Sequence, residues 1–96
     1  MKKGEHQMLM NLHKLEKSLW KEIVQWEGKD KEMANFVAQD RNDVIEARSL
    51  YFTGDMAKLT KHIDPLDTYI REAIVVAFAA DLGNDWVCEN LGYEVR

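Results

Sequence analysis

The chain has 96 residues and one cysteine, Cys88, so it forms a single domain, residues 1–96, without an internal disulfide. Its net charge of −4 argues against a nucleic-acid binder. The longest fully apolar run, Ala73–Ala80, falls far short of the roughly 20 residues that span a bilayer.

The first predicted helix runs from about Glu5 to Trp26. Met8, Leu12, Leu15, Leu19, Ile23 and Trp26 recur at helical spacing and form one stripe. Leu9, Trp20 and Val24 widen that stripe. Lys14, Lys17 and Lys21 line an outer face, and Gly28 marks the stop.

The second helix runs from about Lys31 to Phe52, with Asp30 as its cap. Its apolar phase is Met33, Val37, Val44, Ala47 and Tyr51. Asp40 occupies the position where that phase demands an apolar residue. A carboxylate there needs a partner or water. Arg41 and Arg48 are the nearest cations on the same helix, but a partner from the first or fourth helix is expected.

Gly54 breaks the chain, and Asp55 caps a short helix from Met56 to about His62. Asp64 and Pro65 then read as cap and first position of a fourth helix that ends at Leu82. Asp67 places negative charge on the positive end of its dipole. The run Ala73–Ala80 is apolar on every face, so the fourth helix is expected at the centre of the fold. Gly83 supplies a left-handed stop. Asn84 caps a last short helix, Asp85 to Leu91, closed by Gly92, and the tail Tyr93–Arg96 is a docked or frayed end. There is no strand alternation and no internal repeat. The expected fold is all-α: a compact bundle of three long helices plus two short ones, with antiparallel neighbours.

Charge is spread unevenly. Residues 1–31 carry seven lysines against five acids, and residues 65–96 carry two arginines against six acids. The acidic final third suits a basic partner surface.

Catalytic and metal chemistry find little purchase. His13 and Glu16 share a helix face, as do Asp43 and Glu46. Di-metal helical bundles use the order Glu-x-x-His twice, whereas here the order is reversed and occurs once. Asp40, Asp43 and Glu46, with Glu72 and Asp81, supply the residue types of a magnesium-dependent helical pyrophosphohydrolase, without its paired acidic motifs. The third and fourth helices do not make a DNA-reading pair, because the fourth is apolar where base contacts would fall. Cys88 lies near Asp85 and Glu89, whereas an activated thiol needs positive charge or a histidine beside it, so it reads as a buried small hydrophobe. Asp81–Asp85 lacks the ligand rhythm of a calcium loop.

The reading is therefore a small acidic protein that binds another protein and is not an enzyme: an inhibitor, immunity-type or adaptor protein. In size and charge it is analogous to such proteins of phages and mobile elements. It is expected in the cytoplasm, with no cofactor, metal, membrane or nucleic-acid partner. The partner would present a basic surface, or be a second copy of the chain. The expected contact residues are Asp81, Asp85, Trp86, Glu89, Tyr93 and Glu94, carboxylates for steering and aromatics for anchoring. The alternatives are a metal-dependent helical (pyro)phosphohydrolase using acids of the second and fourth helices, and a structural homodimeric bundle.

Overall fold

A computed structural model describes residues 9–95, which contain five helices and no strand. They are α1 (Met10–Glu27), α2 (Lys31–Thr53), α3 (Met56–Ile63), α4 (Thr68–Leu82) and α5 (Asn84–Leu91). The proposed start of the first helix at Glu5, and Met8 in its stripe, lie outside the described residues.

Local chemistry explains most boundaries. The Asp30 carboxylate accepts from the Met33 N–H, and the Asp55 carboxylate accepts from the Lys58 N–H. Both satisfy an N–H that the first turn leaves without a helical partner. Gly54 and Gly92 end α2 and α5 in the left-handed region.

The fourth helix begins later than Asp64 and Pro65 suggest. Asp64 is the last residue of the α3 turn, in right-handed conformation. The Leu66 N–H donates to the Ile63 carbonyl, and Arg71 Nη1 donates to the Asp64 and Leu66 carbonyls at 3.2 and 3.3 Å. These bonds hold Asp64–Leu66 as a turn, so α4 starts at Thr68 with Asp67 as its flanking residue. Gly83 also differs from the expected stop. Its φ of 104° is positive, but its ψ of 148° is extended. One residue thereby closes α4 and opens α5, and Asn84 is already helical.

α4 supplies the centre of the core. Ile70, Ile74, Val75, Ala77, Phe78 and Ala79 are buried. Leu9, Leu12, Leu19 and Ile23 meet them from the α1 segment, with Val37, Val44 and Ala47 from α2 and Leu59, Ile63, Val87 and Leu91 from α3 and α5. The Phe78 ring stacks on Trp86 at 5.7 Å and lies 5.9 Å from Tyr51. Yet α4 is not enclosed on all sides. Tyr69, Glu72, Val76 and Ala80 recur along one exposed edge, and Val76 is 56% exposed.

On α1 the stripe is narrower than its apolar residues suggest. Trp20 and Val24 point to solvent. Glu16, which shares a helix face with His13, is half-buried and draws Arg41 and Arg48 of α2 to 3.2 and 3.7 Å. No helix among the described residues is long and apolar enough to cross a membrane.

Candidate functional site

The exposed edge of α4 separates two grooves. The first, of about 410 Å³, lies between α1, α2 and the start of α4. Leu19 and Val37 lie at its base. Met33, Phe36 and Tyr69 stand around it, the latter two 64% and 70% exposed. Its charged members are Glu22, Asp40 and Asp67. The second groove, of about 440 Å³, is lined by Glu72, Val75 and Val76 of α4 and by Glu94 and Val95 of the tail. Among the described residues, the five charged side chains lining the two grooves are all carboxylates.

Asp40 shows what that arrangement costs. Among the described residues it makes no hydrogen bond or ion pair, contrary to the partner expected from another helix. Arg41 and Arg48, the nearest cations in sequence, are turned to Glu16. Partial burial pushes the Asp40 carboxyl above its ordinary value, and the like charges of Asp43, Asp67 and Glu22 push it further. Four carboxylates therefore share one region beside exposed rings, which favours a cation arriving from outside.

The six residues singled out from the sequence divide into three half-buried and three exposed ones. Asp81 is half-buried and accepts from the backbone N–H groups of Asn11 and Leu12, where it completes the start of α1. Trp86 is half-buried and packs its ring against Phe78 and Tyr51. Tyr93 donates its hydroxyl proton to Asp64. Burial and that bond push its phenol up to about 12. Asp85, Glu89 and Glu94 are exposed, and Glu94 joins the second groove. Phe36 and Tyr69 are exposed, whereas Trp86 and Tyr93 are engaged by other residues of the fold. Phe36 precedes the stripe residue Val37, so it sits just off the buried face of α2, a phase that a stripe-based reading passes over.

Cys88 is exposed rather than buried. Its neighbours on α5, Val87 and Leu91, take the core-facing positions instead. His13 is half-buried, with no partner for Nδ1 among the described residues. Among the described residues, no group of three His, Cys, Asp or Glu side chains is placed to hold a metal ion. Comparison with protein-family models, curated proteins and solved structures finds no match to this chain.

Proposed function

We propose that this chain is a small acidic binding protein, of the inhibitor, immunity or adaptor kind, that performs no catalysis and occupies a basic surface of another protein. The observation that carries this reading is the lining of the two grooves beside α4. Among the described residues, every charged side chain there is an acid, and the adjoining Phe36 and Tyr69 rings are exposed. Carboxylates would steer a lysine- or arginine-bearing segment, and the rings would be covered on contact. Asp85 and Glu89 of α5 would extend the negative field beyond the grooves. The scaffold envisaged is a bundle of three longer and two short helices with antiparallel neighbours. The cytoplasm suits this role, because the exposed Cys88 thiol is compatible with a reducing compartment.

Fluorescence anisotropy with two labelled amphipathic peptides tests the proposal. One carries lysine and leucine at helical spacing, the other glutamate and leucine. The lysine peptide is expected to bind, with an affinity that falls as salt rises. The glutamate peptide is expected not to bind. Phe36→Ala with Tyr69→Ala, or Glu22→Lys with Asp67→Lys, should weaken binding by about tenfold or more. Equal binding of both peptides would overturn the reading. So would groove variants that bind like the parent, and loss of binding only in Asp85→Lys with Glu89→Lys would move the contact to α5.

A further inference from the structure

A second surface, sharing no residue with the grooves, runs across α1 and α2. Trp20 and Val24 of α1 are 52% and 55% exposed, and Phe52 of α2 is 53% exposed. Arg41 lies over the Trp20 ring at 5.1 Å, and Arg48 faces the Phe52 ring at 6.0 Å. Both guanidinium groups are tied to Glu16 between them. Arg41, Ile45, Arg48 and Phe52 recur at helical spacing, so they share one face of α2. The result is a continuous strip of rings, aliphatic side chains and pinned arginines.

We infer that this strip is the contact between two copies of the chain, related by a twofold axis. A twofold interface must be complementary to itself. The rims of this strip meet that condition. The outer face of α1 presents Lys14, Lys17 and Lys21, while Glu46 stands exposed on the outer face of α2. A twofold axis running along the helices sets α1 of one copy over α2 of the other, twice. Lys14 and Lys17 then lie nearest the level of Glu46 of the second copy at both edges. The size is also adequate. Two helices side by side are roughly 20 Å wide, and the 18 residues of α1 run roughly 27 Å. Such a face, roughly 540 Å² in projection, clears the ~500 Å² per partner that a biological interface requires. Arginine and tryptophan are favoured at interface centres, and here the Arg41 and Arg48 side chains are already held, so less freedom is lost on contact.

Sedimentation equilibrium between about 1 and 500 µM tests this, with circular dichroism to verify folding. The parent chain is expected to dimerise within that range. Val24→Glu changes an exposed residue, so it should keep its helicity and weaken the dimer by about 100-fold or more, as burial of an unpaired charge does. Lys14→Glu with Lys17→Glu should weaken self-association by about tenfold, and so should Glu46→Lys. An equimolar mixture of these two charge variants should restore dimers, because only the mixed pair matches charge at both edges. A parent chain that stays monomeric at 500 µM would overturn the inference. Dimers that persist in Val24→Glu, or a mixture no tighter than its components, would overturn it as well.

Discussion

The carboxylate of Asp81, at the end of α4, accepts hydrogen bonds from the backbone and side-chain N–H groups of Asn11, 70 positions earlier, at the start of α1. The Leu12 N–H donates to the same carboxylate at 3.2 Å. Among the described residues α1 has no side-chain cap from its own N-terminal flank: Leu9 precedes it at φ 50° and makes no side-chain cap bond. A distant acid therefore does the work of an N-cap and places negative charge on the positive end of the α1 dipole. Asp81→Ala should cost about 1–2 kcal/mol in urea melts. Hydrogen exchange should speed up first at the Asn11 and Leu12 amides. Asp81→Asn, which keeps one acceptor oxygen, should lose less.

Phe78 ties α4 to two other helices. It is fully buried, and its ring meets Tyr51 of α2 and Trp86 of α5. Phe78→Ala should cost about 3–5 kcal/mol, because truncation leaves a cavity as well as losing apolar burial. Tryptophan fluorescence should shift in the native state too, since Trp86 loses its stacked neighbour. A loss below about 1 kcal/mol in denaturant melts would remove α4 from the centre of the core.

The features legible in the sequence are those set by neighbours along the chain. Asp30 and Asp55 act as caps because the N–H they satisfy is three residues away. The apolar run of α4 marks the core because few other segments can hide so much of it. Relationships between distant residues were hidden. Glu16 pairs with Arg41 and Arg48 across α1 and α2, and nothing in local spacing announces it. Asp64–Pro65 satisfies the rule for a helix start, but Arg71 binds the Asp64 carbonyl and keeps that residue in the α3 turn. The grooves were half visible. Asp40 stood out as misplaced, but its setting among Glu22, Asp43 and Asp67 depends on three elements meeting. Trp86 and Tyr93 looked like free anchors because sequence records hydrophobicity and not which rings the fold has already engaged.

Gly83 is the narrowest point of the chain path. Its φ of 104° with ψ of 148° is a conformation open essentially to glycine alone. No atom lies within 4 Å of where a Cβ would stand, so the cost of a side chain is backbone strain and not collision. Gly83→Ala should destabilise by about 1–3 kcal/mol. A destabilisation shared by Gly83→Ala and Gly83→Ser, and independent of side-chain size, would distinguish strain from crowding in thermal melts.

Tyr93 fastens the tail to the α3–α4 turn through Asp64. Its phenol is pushed from 10.0 up to about 12, first by burial and then by the bond and charge of Asp64, with Arg71 acting in the opposite direction. The folded state therefore keeps this proton to higher pH than the unfolded chain does. That contribution is intact below pH 10 and is lost as pH rises toward 12. Tyr93→Phe should cost about 1 kcal/mol or less at neutral pH, as for a single exposed-edge hydrogen bond. Subtracting its stability profile from that of the parent should show a difference that shrinks across the alkaline window. A constant difference across that window would remove Tyr93 as its source.

Asp40 links stability to the proposed binding, and the two should move in opposite directions. Its carboxyl is raised above 3.8, first by burial and then by Asp43, Asp67 and Glu22. In the interval just above 3.8 the folded state binds more protons at this site than the unfolded chain. The stability of the parent therefore falls as pH rises through that interval, and the loss persists at neutral pH. Asp40→Asn removes the charge with little change of shape. It should raise Tm at neutral pH relative to the parent, and the gain should vanish below the ordinary carboxylate range. The same variant should bind the lysine peptide more weakly at neutral pH, because one of the carboxylates facing the groove is gone. A structural acid with a hidden partner would behave otherwise: its amide would lower Tm at neutral pH. Thermal melts from pH 3 to 8, with peptide titrations at the upper end, separate the two cases. A binding site kept at the expense of stability is the pattern expected where carboxylates are held close for a cation that the fold itself does not provide.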